Sequence, residues 1–281
     1  MKKLFKISLS LAFIFAIFMI SLPSILNLAG LHPKFKSDTF NLEGKKALII
    51  ATNHGILNKP GETNGKPTGL FLSELSIPYY DFKKSNMKVD IASIKGGNIP
   101  LEPIPFFIEA PEDKIFKKDK NAMNGLQNSI SIKNIDFTEY DIIFLSGGWG
   151  AAYDLGYSEL LGIKISDAYY KSEAIIGGVC HGVLGLINAK DNDGNLLIAG
   201  RKMTGVTDKQ INELGISFTP QHPEEELRKA GAIFLSDTAF RDIFATLTVV
   251  DDENRFVTGQ NQNSGHETAY QMMKLLDDID N

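Results

Sequence analysis

Gly177-Gly178-Val179-Cys180-His181-Gly182 carries the only cysteine among 281 residues and ends a short apolar run, Ala174 to Val179, that predicts a buried strand. Gly178 to Gly182 has the form Gly-x-nucleophile-x-Gly, in which the glycines leave room for a strained strand-to-helix turn that lifts the nucleophile clear of the sheet. The apolar spacing of Val183, Leu184, Leu186 and Ile187 predicts a helix after the turn. A thiol at the start of that helix meets its positive end, which favours thiolate and predicts reactivity at neutral pH. A lone cysteine is more often a small buried hydrophobe. Such a residue needs neither glycine on both sides nor an adjacent imidazole, whereas a catalytic thiol needs the sharp turn and a proton acceptor.

The flanking chain alternates strand and helix patterns. Apolar runs predict strands over residues 45–52, 87–94, 140–145, 174–179, 246–250 and 255–258. Helices are predicted over 69–82, capped by Thr68 and carrying Glu74 despite Pro78, over 160–170 and 224–229, and from His266 onward. Residues 196–206 read as a hairpin-like unit. Residues 98–120 hold four prolines and the bulky pair Phe106 and Phe107, too irregular for a central strand, and read as an insertion beside the pocket. This order predicts an α/β domain with a mostly parallel sheet covered on both faces, its ligands bound beyond the carboxyl ends of the strands. Asn53-His54-Gly55, Ser146-Gly147-Gly148-Trp149-Gly150 and the cysteine turn all fall at such ends.

Composition narrows the function classes. A formal net charge of -5 with 22% charged residues and scattered lysines leaves no basic footprint for nucleic acid. One cysteine excludes an intrachain disulfide and a thiolate zinc cage, and the five histidines show no close metal-ligand spacing, so no metal or cofactor is expected. At the N-terminus, Lys2, Lys3 and Lys6 precede an uncharged run to Pro33, the arrangement of a signal peptide or transmembrane anchor. The division is residues 1–30 as the targeting segment and 31–281 as the catalytic domain. No small-x-small cleavage site stands out, which favours a retained membrane anchor with the domain outside the cytoplasm; cleavage would make the protein secreted.

Thr68-Gly-Leu-Phe-Leu-Ser-Glu74, Val89-Asp-Ile-Ala-Ser93, Ser146-Gly-Gly-Trp-Gly-Ala151, Gly178-Val-Cys-His-Gly182 and Val257-Thr-Gly-Gln-Asn-Gln-Asn-Ser264 together resemble the PfpI and Parkinsonism-associated deglycase superfamily, related to class I glutamine amidotransferases. The resemblance is strongest to its heat-shock branch, which combines glutathione-independent glyoxalase III activity with holdase chaperone activity. It implies a flavodoxin-like three-layer sandwich, a homodimer, and a small 2-oxoaldehyde such as methylglyoxal as substrate. It also implies that Cys180 is the nucleophile, His181 its imidazole partner and Glu74 the acid that reaches the thiol. Backbone amides near Gly148, Trp149, Gly150 and His181 suit a developing oxyanion. Two departures stand out. Trp149 occupies a position where the branch usually has histidine, and Ile211 aligns with the triad acid, leaving Asp208 or Glu213 as substitutes, although Asp208 also suits a helix start beside Thr207.

Two other functions fit parts of the sequence. Gln221-His222-Pro223-Glu224 is similar to the segment with which class I amidotransferases complete a Cys-His-Glu triad, so a glutaminase-type hydrolase using Cys180 and His222 is one alternative. A membrane-tethered chaperone or redox sensor, with Cys180 as an oxidation site and an apolar patch of Tyr79, Tyr80, Phe106 and Phe107, is the other.

Overall fold

Continuous apolar runs become the central strands because a strand flanked by parallel neighbours and covered on both faces has no water-facing side. The computed structural model describes residues 2–36 and 38–280, with side chains described from residue 10 to 279 apart from residue 37. The side chains of Lys2, Lys3 and Lys6, the basic end of the targeting segment, lie outside that description. In chain order the helices are α1 (Lys2–Leu28), α2 (Ser73–Lys84), α3 (Pro111–Phe116), α4 (Lys120–Gln127), α5 (Ala151–Asp154), α6 (Glu159–Lys171), α7 (Asp208–Leu214), α8 (Pro223–Lys229) and α9 (Gly265–Asp280). The strands are β1 (Lys46–Ala51), β2 (Ile56–Leu57), β3 (Lys66–Pro67), β4 (Lys88–Ser93), β5 (Ile130–Ser131), β6 (Ile142–Leu145), β7 (Ile175–Val179), β8 (Lys202–Met203), β9 (Ile233–Phe234), β10 (Thr248–Val250) and β11 (Phe256–Gly259).

Seven strands form one sheet in the order β10-β11-β7-β6-β1-β4-β5, parallel throughout except for the antiparallel edge pair β10 and β11. The pleat sorts its side chains into two cores. Leu48, Ile50, Ile143, Leu145 and Ile176 pack with Leu161 and Ile165 of α6 and Leu227 of α8. Ala47, Ile49, Phe144, Ile175 and Val179 pack with Leu75 and Phe82 of α2 and with Met272 and Leu276 of α9. Each fully buried large apolar side chain in these layers contributes about 1.5–3 kcal/mol. The expected three-layer, flavodoxin-like sandwich is the fold, with the cysteine turn at the carboxyl end of its central strand β7.

Helix α2 shows how the site is braced. It starts at Ser73 rather than at Gly69, and Thr68 is not its cap: Gly69 takes a φ of 151° that leaves residues 69–72 outside the helix. Pro78, inside the helix, has no N–H for the carbonyl four residues back, which belongs to Glu74. The hydroxyl of Ser146 donates to that carbonyl at 3.0 Å. The proline thus leaves an acceptor that ties the glycine loop to the helix bearing Glu74.

Three local expectations change. Residues 196–206 make no hairpin; Lys202 and Met203 instead pair in parallel with Ile233 and Phe234 as a separate two-stranded sheet. The proline-rich insertion ends in helix α3, with Pro111 at its first turn. After Cys180 the chain makes a 3-10 helix to Leu186 rather than an α-helix. Short elements such as α4, α5 and β5 were not expected, because segments of two to eight residues carry too little periodicity to distinguish them from loops.

The sheet leaves no space at Gly177, where an added Cβ would lie 1.7 Å from the carbonyl oxygen of Val257 on the neighbouring strand. Gly177→Ala is expected to lower the unfolding free energy by about 3 kcal/mol or more, read as a fall in the urea midpoint at constant slope.

Candidate active site

Cys180 sits at the tip of β7 with a φ of 57°, a left-handed conformation that β-carbon-bearing residues adopt only when surroundings enforce it. The enforcement comes from close packing. A Cβ on Gly178 or Gly182 would lie 2.3 or 2.2 Å from the carbonyl oxygen of Leu145, so both positions require glycine for the turn to cross β6. The sulfur is nearly buried, with Cys180 7% exposed, and forms part of the floor of a cavity of about 180 Å³. Residues from the loops after β4, β6 and β7 line it. The loop after β1 does not: His54 stacks on Tyr153 at a centroid distance of 4.1 Å.

Three of the expected site residues meet there. His181 places Nδ1 3.5 Å from the sulfur, and the Glu74 carboxyl is hydrogen bonded to the thiol. Glu74 also accepts the amide N–H of Gly147 at 2.9 Å. Burial dominates its chemistry: loss of water pushes its pKa up to about 8, while the hydrogen bonds to Cys180, Gly147 and Gly148 act in the opposite direction. At neutral pH Glu74 is therefore a carboxylic acid beside the sulfur, able to give a proton. Burial also raises the Cys180 pKa, with a carboxylate at Glu74 adding to the rise, while the amides of His181 and Gly148 counter it. This corrects the expectation of a thiolate favoured by a helix dipole. The turn is too short and irregular for a macrodipole, and individual amides supply the anion stabilisation instead.

The oxyanion group is also smaller than expected. Gly148 and His181 direct amides toward the sulfur. Trp149 does not have a free amide, because its N–H is donated to the Glu102 carboxylate at 3.2 Å. Gly150 lies outside the cavity: its N–H bonds the carbonyl of Gly69 at 3.1 Å, and its backbone packs against the carbonyl of His54. Trp149 contributes through its ring, which lies 4.8 Å from the His181 imidazole at a 51° tilt.

No acid completes a triad through His181 among the described residues. Its Nε2 is buried without a hydrogen-bond partner, and burial drives its pKa down to about 3, with the charge of His222 a smaller influence in the same direction. Ile211 is fully buried in the core. Asp208 opens α7 behind the Thr207 cap, with its Oδ1 3.7 Å from Nδ1 of His222, and is absent from the cavity lining. Glu213 accepts the amide of Asp242 at 2.8 Å. His222 is the residue before α8, and Glu224 is engaged by Arg228 and by the amide of Asp208, so the sequence Gln221 to Glu224 does not build a triad on the sulfur. Of the suggested apolar patch, Tyr79 is core, packed edge-on against Phe116, while Phe106 is exposed.

Glu102 is the site residue that sequence reasoning missed. It lines the cavity with Glu74 and Cys180, and burial raises its pKa to about 7 against the opposing Trp149 amide. Glu102 is one of five acidic residues inside the proline-rich insertion, and nothing in the sequence sets it apart from the other four. Among the described residues no three His, Cys, Asp or Glu side chains converge as a metal site.

Glu74 makes stability depend on pH in an unusual direction. The folded chain holds this proton up to about pH 8, whereas an exposed glutamate releases it near 4.5. Between those values the native state binds the extra proton, so the stabilisation is complete below about 4.5 and is lost as pH rises toward 8. Replacing Glu74 by Gln should flatten the decline in unfolding free energy between pH 5 and 8 by an amount on the order of a few kcal/mol, measured by denaturant titration across that range.

The sequence model of the DJ-1/PfpI family matches residues 68–275. Glyoxalase 3 of Candida albicans is 30% identical over 233 residues, covering 80% of this chain and 95% of that protein. The glutathione-independent glyoxalase HSP31 of Saccharomyces cerevisiae is 28% identical over 243 residues, covering 83% and 98%. The crystal structure of the 24 kDa rapid encystment protein of Francisella tularensis superposes with a TM-score of 0.75 at 32% identity, over 83% of this chain and 99% of that one. With its cysteine elbow, parallel sheet and matched length, the chain belongs to the DJ-1/PfpI family.

Proposed function

We propose that the protein is a cysteine-dependent, glutathione-independent glyoxalase that converts methylglyoxal or a related 2-oxoaldehyde into the 2-hydroxy acid. The observation that carries this reading is the meeting of Glu74 and His181 on the strained, buried Cys180 at the floor of one cavity. The naming of the Candida and Saccharomyces relatives as glyoxalases supports it.

The groups around the sulfur suit each step of that reaction. The thiol adds to the aldehyde carbon, forming a C–S bond while its proton passes through the neutral His181 to the former carbonyl oxygen, giving a hemithioacetal. The amides of Gly148 and His181 hold the oxygen while it carries charge. The base removes the hydrogen from the sulfur-bearing carbon while the acid protonates the neighbouring carbonyl oxygen, giving an enediol. The protonated base then returns its proton to the neighbouring carbon as the deprotonated acid takes back the hydroxyl proton of the sulfur-bearing carbon, leaving the thioester and restoring both groups. Glu74, protonated at rest, is the acid, and His181, neutral by burial, is the base. The resulting thioester is hydrolysed by water, which releases the hydroxy acid and restores the thiol. His181 lacks an acid on Nε2, so the face of Trp149 keeps the ring in place where a carboxylate would otherwise orient it.

The membrane assignment is part of the same proposal. Residues Ser10–Leu28 form 19 residues of α1 with a mean hydropathy of 2.2 and none of that stretch buried in the protein. At ~1.5 Å per residue this approaches the ~30 Å of a bilayer core. We read residues 1–30 as a retained anchor and 31–281 as the catalytic domain outside the cytoplasm, in the homodimeric assembly that the family implies.

The full chain should form D-lactate from methylglyoxal without glutathione. Cys180→Ala should abolish this, and Glu74→Gln, which keeps a hydrogen bond but cannot give up a proton in the same way, should lower kcat by at least about 100-fold while Cys180 still reacts with iodoacetamide. A folded wild-type chain that forms no D-lactate would sink the glyoxalase reading. The anchor is tested separately: the chain should stay in the membrane pellet through alkaline carbonate extraction, and release into the supernatant would refute it.

A further inference from the structure

The chain leaving α1 is fastened directly to the wall of the cavity. Gly30, two residues beyond the helix, offers its carbonyl to Nδ2 of Asn263 at 3.0 Å, and Oδ1 of Asn263 accepts the N–H of His32 at 2.9 Å. Asn263 Nδ2 also donates to the carbonyl of Ile243 at 3.0 Å, and Nε2 of His32 donates to the carbonyl of Ile108 at 2.7 Å. Leu31, between them, is 2% exposed. Ile243 and Ile108 both line the cavity. The stem is therefore a fixed bracket joining an apolar helix to the cavity wall.

Exposed apolar side chains lie close to those residues in sequence. Phe106, two residues before Ile108, is 54% exposed, and Phe240, three residues before Ile243, is 96% exposed. Leu214, which lines the cavity, is 40% exposed and brings the apolar lining to the surface. Phe240 is the most exposed of the large apolar side chains among the described residues, and apolar rings of this kind are the ones that enter a membrane interface. The stem ties the end of α1, whose Ser10–Leu28 stretch is unburied and apolar, to Ile108 and Ile243 close by these rings, and this points to lipid as their cover.

The cavity has the matching chemistry. Phe71, Ile104, Val206, Ile216 and Ile243 line it, and among the described residues no lysine or arginine does. Its acids are Glu74 and Glu102, both held above the usual carboxylate range by burial, so the cavity offers an anionic substrate no cationic partner. An apolar cavity of about 150 Å³ takes up benzene, so the space here of about 180 Å³ exceeds what the single methyl group of methylglyoxal fills.

We propose that the cavity rim lies against the anchoring bilayer and that the site takes from it 2-oxoaldehydes with an apolar substituent longer than methyl. The inference rests on the glyoxalase reading and on α1 as the anchor, and it adds the substrate class and its route of entry.

The full chain in phosphatidylcholine vesicles, supplied with methylglyoxal or with dodecylglyoxal, tests it. The long-chain aldehyde should be preferred in kcat/KM by at least about tenfold, the worth of roughly two buried methylenes. The double variant Phe106→Ser, Phe240→Ser should lower long-chain turnover by roughly fivefold or more and leave methylglyoxal turnover unchanged. Independently of activity, a tryptophan introduced by Phe240→Trp in a Trp149→Phe background should be quenched by brominated phosphatidylcholine. Equal or better use of methylglyoxal, or loss of neither activity in the double variant, overturns the substrate class. An unquenched reporter in vesicle-bound protein overturns the placement of the rim, even if methylglyoxal is turned over and the glyoxalase reading stands. Quenching without turnover of either aldehyde keeps the rim at the membrane and removes the substrate class together with the glyoxalase reading.

Discussion

The contact of the cysteine turn with β6 is the constraint on which the rest of the site depends. Gly178 and Gly182 both press against the carbonyl of Leu145, and the turn between them holds Cys180 at a φ of 57°. The left-handed backbone points the sulfur out of the sheet and into the space between α2 and the glycine loop. A relaxed backbone would return the side chain to the core, where a cysteine is an inert hydrophobe. The strain is sustained because β6 and β11 fix β7 from both sides, so the central sheet supplies the stability that the turn consumes.

The second organising element is the absence of a proton donor. Pro78 leaves the Glu74 carbonyl without its helical partner, and Ser146 replaces that partner from across the pocket. The same loop then gives its Gly147 amide to the Glu74 carboxyl and its Gly148 amide to the sulfur. One loop thereby sets the distance between acid and nucleophile. Because all three groups are shielded from water, the carboxyl keeps its proton and the imidazole stays neutral, which is the pairing that moves a proton at neutral pH without storing buried charge.

Trp149 and Ile211 belong to one local solution. With Ile211 in the core no carboxylate among the described residues contacts His181, and the imidazole, neutral and buried, is packed by the indole instead of being held by an ion pair. The indole and the aliphatic walls make the cavity apolar, and among the described residues no lysine or arginine lines it. The stem after α1 then joins this apolar space to the exposed apolar helix.

Much of this was legible from residues alone, for identifiable reasons. The central strands were readable because parallel strands buried on both faces leave unbroken apolar runs, and the elbow because glycine, nucleophile and glycine must occupy fixed positions. The family and the fold follow from local patterns of that kind, and the meeting of Cys180, His181 and Glu74 was implied by the family resemblance those patterns carry. The start of α2, the parallel pairing of Lys202-Met203 and the 3-10 turn after Cys180 were not readable, since each is set by a partner distant in sequence. The same holds for Glu102, an ordinary acidic residue in a proline-rich loop until Trp149 and the cavity surround it. Sequence by itself determined which residue types are present for the chemistry and in what order. Tertiary structure alone decided which amides remain free, that Asp208 turns toward His222 instead of His181, and which groups keep their protons, because those depend on burial and contact across the fold.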